Sequence, residues 1–218
     1  MKGIGVGVTV VAAWLTLAAG VVGQAGVAGQ GSGAAAEVAV AVDPERYELD
    51  RAHTYVGFVV RHLAVSNVRG KFTGFSGHVM LDEADPTRSS VSVTIDASTI
   101  DTSNERRDNH LRSADFFEVE RFPNITFVSK SIERTADGLV MVGDLTMRDV
   151  TREVRVPFEL SGPVDTGNGQ RRIGAEATLR VNRFDFGLQW NRIQEAVQVV
   201  GDEVRIELAV EAATPRQN

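Results

Sequence analysis

Four histidines, His53, His62, His78 and His110, are the first place to look for metal chemistry, because zinc needs three or four donors converging at about 2 Å. Their spacing does not supply that. His53 and His62 are nine residues apart, so one unbroken strand would point them to opposite faces, and no His-x-His or His-x-x-x-His pair occurs. No metal site is expected. Gly74-Phe75-Ser76-Gly77-His78 has the outline of a nucleophile elbow, yet that motif needs glycine where His78 stands and a strand-to-helix turn in an α/β sheet. Its glycines instead suit a long strand that bends sharply. Cysteine is absent, which removes thiol nucleophiles, thiolate metal ligands and disulfides together. Asp82, Glu83 and Asp85 lie at a strand end before Pro86 and, like Glu203 and Glu207, read as solvated charge. One cluster differs in kind. Arg106, Arg107, Asp108 and His110 put both signs and an imidazole on one helical turn beside Leu111 and Phe116. Such a group either anchors the helix by ion pairs or forms a polar lid over the head of a bound molecule. No catalytic residue is assigned.

The elements that would carry these residues are strands. Beyond residue 46 the dominant signal is period-two alternation between turn residues. Val56, Phe58 and Val60 oppose Tyr55, Gly57, Val59 and Arg61; Val91, Val93 and Ile95 oppose Ser92, Thr94 and Asp96. Val154, Val156, Phe158 and Leu160 alternate with Glu153, Arg155, Pro157 and Glu159, and Val204, Ile206, Leu208 and Val210 with Arg205, Glu207 and Glu211. Further strands are expected over Tyr47–Asp50, Phe72–Leu81, Ile125–Ile132, Leu139–Met147 and Ala175–Arg183. One dry face per strand belongs to antiparallel sheets, since parallel strands are covered on both sides. Turn signals stand at Asp85-Pro86, Asp137-Gly138, Gly162 to Gly169 and Gly201-Asp202. The exception is Thr102 to Phe117, where Thr102 and Glu105 have capping-box spacing; one short helix is expected there, with Phe116, Phe117 and Phe122 as apolar plugs. With so little helix to cover sheet edges, closure into a barrel is the simplest architecture and a two-layer sandwich the alternative. An eight-stranded barrel is filled by side chains or holds one small ligand.

The chain has 218 residues, enough for one domain with a real core, and a formal net charge of −6. That sign repels nucleic acid phosphates and anionic surfaces, so no nucleic acid partner is expected. Lys2 followed by an uncharged stretch with Ile4, Val6, Val8, Trp14 and Leu17 has secretory leader architecture. The small residues beyond it offer several cleavage points, and an uncleaved membrane anchor is the competing reading. The expected organisation is a leader over residues 1–28, a Gly/Ala-rich linker over 29–45, one barrel domain over 46–213 and a tail over 214–218. Export to the periplasm or beyond follows, with or without a tether.

Several motifs then occur in a specific order from Tyr47 to about Ala212: Asp50-Arg51-Ala52-His53-Thr54, Val68-Arg69-Gly70-Lys71-Phe72, Ser98-Thr99-Ile100-Asp101-Thr102, Arg107 to Phe117, Phe122-Pro123-Asn124-Ile125-Thr126-Phe127, Gly143-Asp144-Leu145-Thr146, Arg183-Phe184-Asp185-Phe186-Gly187-Leu188 and Val200 to Val204. Together they resemble the YceI-like family of polyisoprenoid-binding, lipocalin-like proteins. Two departures concern loops: Asp149 stands where the family usually has Gly, and Ala196-Val197 replace a Gly-rich turn. The resemblance implies an all-β, extended antiparallel eight-stranded lipocalin-like barrel with one short helix, holding an elongated isoprenoid or acyl lipid. The expected role is binding, storage or transport of that lipid, with no other cofactor. Inward candidates for contact with the chain of the lipid are Val56, Phe58, Val60, His62, Phe75, Val79, Val93, Ile95, Phe127, Leu145, Phe158, Leu179, Phe186 and Trp190. Arg107, Asp108 and His110 are candidates for its head group. Two alternatives stay open: a lipid-modifying enzyme using His62 or the Asp108/His110 pair as acid and base, and an unliganded structural module whose barrel is packed solid. A homodimer is compatible with the sequence and is not fixed by it.

Overall fold

The structure, a computed structural model, describes residues 43–216 except 192, 195 and 196. The expected leader and most of the linker therefore lie outside the described residues, as does Ala196. In chain order the elements are β1 (Glu45–Leu49), β2 (Tyr55–His62), β3 (Ser66–Phe72), β4 (Phe75–Leu81), β5 (Ser90–Asp96), β6 (Ile100–Asp101), α1 (Glu105–Arg112), β7 (Asn124–Thr135), β8 (Gly138–Met147), β9 (Val150–Asp165), β10 (Arg171–Asn182), β11 (Ile193–Gln194), β12 (Val197–Gln198) and β13 (Val200–Ala213).

All of these strands but β11 and β12, which pair only with each other, make eight staves, because β1 with β2, β3 with β4, and β5 with β6 each form one interrupted stave. Each stave pairs antiparallel with its sequence neighbour, and β13 returns to the start. One edge of β13 pairs with β10, while the other meets β2 along Val200–Ala209 and β1 at Ala212 and Ala213. The sheet is a closed eight-stranded antiparallel barrel with one α-helix. Closure gives each of the eight staves a paired neighbour on both sides, so their apolar faces need no second layer to cover them.

The expected single strand over Phe72–Leu81 is broken at Thr73-Gly74, and the preceding Ser66–Phe72 strand is an addition to the sequence reading. The bend depends on contact at Gly74: its N–H donates to Thr99 Oγ1 at 2.8 Å, and its carbonyl accepts from Asp96 N at 2.8 Å. A Cβ at Gly74 would lie 2.6 Å from Thr99 Cγ2, so any larger residue would push the two staves apart. A second irregularity, between Ser129 and Ser131 of β7, reverses which parity faces inward. Phe127 therefore shares its face with Leu145, and beyond the bulge Ile132 shares that of Met141.

The helix begins two residues later than the capping-box spacing suggests. Asn104 is the N-cap, and its side chain accepts from Arg107 N at 3.0 Å. Thr102 has a different task. Its N–H donates to the buried Asp108 carboxylate at 3.0 Å and its hydroxyl bonds the same oxygen, while Arg107 donates to Thr102 Oγ1 and to its carbonyl, both at 2.7 Å. The knot ties α1 to the end of β6. Among the described residues, no helix is long and apolar enough to cross a membrane.

Candidate lipid-binding cavity

The inward faces of the staves do not meet at the barrel axis. They surround a cavity of about 270 Å³ lined from all eight staves. Among the described residues its wall is made of Val, Leu, Ile, Phe, Met and Ala side chains, with the Gly57 backbone and two polar residues, Thr54 and Arg183. An apolar cavity of about 150 Å³ already stays dry and accepts an apolar guest; this one is larger and equally short of hydrogen-bonding groups. Phe58, Val93 and Ile206 point inward yet are only partly buried, because the surface they keep faces the hollow. Gly70 helps shape that wall: a Cβ there would lie 2.3 Å from the Phe58 ring it pairs with.

Ten of the fourteen inward candidates line the cavity: Val56, Phe58, Val60, Val79, Val93, Ile95, Phe127, Leu145, Phe158 and Leu179. The other four do not. Phe75 and Phe186 are buried in the surrounding core. His62 ends β2, opposite Ser66 and Val200. Trp190 belongs to the cover described below. Among the head-group candidates, Arg107 and His110 share a shallow outer hollow with Asn104 and Arg106, whereas Asp108 is turned inward onto Thr102. Phe116 and Phe117 line the cavity as plugs; Phe122 does not, and lies beneath the Arg121 guanidinium at 4.8 Å.

The two barrel ends are closed by different means. At the end bearing β1's start, Tyr47 is fully buried with Leu81, Ile173 and Ala212. Its hydroxyl donates to Glu45 at 2.7 Å, and Arg171 joins Glu45 at 2.8 Å to Glu83. Burial, then the neighbouring Glu45 carboxylate, pushes the Tyr47 hydroxyl well above its ordinary pKa. Next to this plug Arg172 binds both Asp50, at 2.8 Å, and Glu211. The Arg172 guanidinium, helped by His53, holds the Asp50 carboxyl far below the usual carboxylate range. Asp50, His53 and Glu211 are the cluster of described residues with metal-ligand spacing, and the Arg172 guanidinium already pairs with both carboxylates, so the group is arranged as an ion-pair network.

At the opposite end two chain segments meet over the cavity. One is α1 and the turn after it, contributing Leu111, Phe116 and Phe117; the other follows β10 and contributes Arg183 and Leu188. They touch through rings: His110 lies 4.8 Å from Trp190 and 5.1 Å from Phe116, and Phe116 lies 5.1 Å from Trp190, centroid to centroid. Arg148 bridges them, donating to Gly187 O and to Glu118, both at 3.0 Å. Arg183 is the centre of the second segment. It is 3% exposed and donates to the carbonyls of Leu188, Trp190, Gly201 and Val200. Burial lowers its pKa, with Asp202 opposing that effect. The alternation pattern could not point to Arg183, because a charged residue after a strand reads as surface.

These features define a class: closed antiparallel barrels that enclose an apolar, guest-sized space beneath a cover of one helix and one loop. Residues 47–212 match the model of the YceI-like domain, and the chain belongs to that family. It is 38% identical over 153 residues to Protein YceI of Escherichia coli, covering 69% of this chain and 78% of that protein. Its fold is similar to that of BcnA from Burkholderia cenocepacia, with a TM-score of 0.65 and 24% identity over 75% of this chain and 98% of the other. It is also similar to a polyisoprenoid binding domain from Saccharophagus degradans, with a TM-score of 0.59 and 15% identity over 78% and 98% of the two chains.

Proposed function

We propose that the barrel binds one long apolar lipid of polyisoprenoid or acyl type and serves as an exported carrier or store for it. The observation that carries this reading is the hollow itself, apolar on every stave. A prenyl chain has no hydrogen-bonding groups, so it asks nothing of a wall except that it be dry. Burying each CH₂ contributes about 0.8 kcal/mol. Some ten carbons would therefore offset the several kcal/mol lost in immobilising a flexible guest. The similar fold of the polyisoprenoid binding domain from Saccharophagus degradans supports the lipid class, and the leader-like first residues support export.

The head group of the lipid would leave the barrel beneath α1 and reach the hollow of Asn104, Arg106, Arg107 and His110. Binding is preferred to catalysis by the fate of the candidate acids and bases: His62 is away from the cavity wall and Asp108 is held by Thr102. The two polar lining residues are likewise engaged, Arg183 with backbone carbonyls and Thr54 with the backbone of Glu211.

Native mass spectrometry of protein purified under mild conditions tests the reading. A mass increment of one prenyl or acyl lipid is expected in the wild type, and its loss in Phe58→Asp, which places a charge on the dry wall. Full lipid occupancy in that variant would count against the cavity as the binding site.

A further inference from the structure

We propose that the turn between β2 and β3, Leu63-Ala64-Val65, is a docking tip that sets the mouth of the barrel on a lipid bilayer. The proposal rests on the lipid-binding reading and adds the surface with which the guest is exchanged. Val65 is 79% exposed, the most open of the large apolar side chains found exposed. It is held there by unfavourable backbone. Leu63 has φ 49° and Ala64 φ 55°, both left-handed, in a turn where glycine, asparagine or aspartate would be usual. Backbone conformations of this kind persist only where surrounding contacts enforce them. Here Leu63 N donates to Val199 O at 3.0 Å, and Arg61 Nε donates to Ala64 O at 3.2 Å.

The turn stands at the mouth, since His62 pairs with Val200 and Val200 lines the cavity. Strain is gathered at this end of the molecule. Among the described residues all six non-glycine positions with positive φ, Leu63, Ala64, Ser103, Glu118, Arg148 and Asp149, lie in segments at the mouth. At the plugged end the corresponding positions are glycines, Gly138, Gly162, Gly167 and Gly169. Charge fits the same occupant. Arg61, at the base of the tip, is exposed and has no carboxylate in ion-pair range among the described residues. An apolar tip above an arginine matches a bilayer, whose acyl boundary lies just below its phosphates. A water-insoluble guest also gains most from a mouth that opens against membrane, because it then never crosses water.

The chain has no cysteine, so Val65→Cys carrying an environment-sensitive dye reports on the tip alone. Vesicles of phosphatidylcholine, which carry phosphates but no net charge to repel the acidic chain, should shift its emission to the blue. The same dye at Val164→Cys, an exposed valine at the plugged end, should not respond. In parallel, transfer of a fluorescent prenyl lipid from loaded protein should accelerate with vesicle concentration. Val65→Asp should slow that transfer about tenfold, the loss expected for one valine's burial, and leave equilibrium occupancy unchanged. A silent dye at Val65, or transfer indifferent to both vesicle concentration and Val65→Asp, overturns the docking tip while the lipid reading stands. A responding dye on a protein that takes up no lipid supports the tip and removes the lipid reading.

Discussion

The two ends of the barrel are both covered, yet they are built on opposite principles. The plugged end is closed by side chains that belong to the staves: Tyr47, Leu81, Ile173 and Ala212, tied across by Glu45, Arg171 and Glu83. The mouth is closed by segments that belong to no stave, joined by ring contacts, one bridging arginine and one buried arginine gripping carbonyls. A plug made from the wall cannot leave without opening the wall. A cover made from insertions can shift while the staves stay paired, which teaches that access to the cavity is a property of one end.

The sharpest test of this contrast is Tyr47→Ala. Emptying a fully buried aromatic site should lower stability by about 4 kcal/mol, read as a shift in urea midpoint, while lipid exchange in the surviving folded protein keeps its wild-type rate. Faster exchange in that variant would erase the distinction between the ends. Arg183→Met should lower stability by about 3 kcal/mol, since the buried Leu188 carbonyl and three part-buried ones lose their donor. Unlike Tyr47→Ala, it should also release bound lipid faster, as stopped-flow transfer to acceptor vesicles would record. The smallest effect belongs to Asp149→Gly. Asp149 has φ 58° in the β8–β9 turn, and glycine there should raise stability by about 0.5 kcal/mol in the same urea assay without altering occupancy.

Much of the wall was legible before the structure, and the cover much less so. Alternation in Val154 to Phe158 and Val204 to Val210 told which residues face inward, because the pleat fixes that parity locally. The interrupted staves were harder to read. Ser66–Phe72 carries Asn67, Arg69 and Lys71 on its outer face but spends Gly70 on room for Phe58, so its inner face looks less apolar than it is. The helix start is hidden from the sequence because Thr102 has the right residue type for a cap and is instead consumed by Asp108. Asp149, a departure from the family's usual glycine, keeps the left-handed turn that a glycine would have made easily. The plug was invisible for another reason: Arg171 meets Glu45 from 126 residues away, and no local pattern announces such a pair.

The ring is completed by its first and last staves. Thr54 meets Glu211 across 157 residues of sequence, and Leu49 meets Ala212 beside it. Such a high contact order places the costliest loop closure at the final step and favours folding in milliseconds to seconds over the microsecond regime of helical bundles. It also makes the transition cooperative, because any partial assembly would present two unsatisfied strand edges and an open greasy trough. A newly synthesised chain is therefore most exposed to aggregation just before β13 arrives, and a truncation that removes β13 should yield insoluble material, not a smaller barrel.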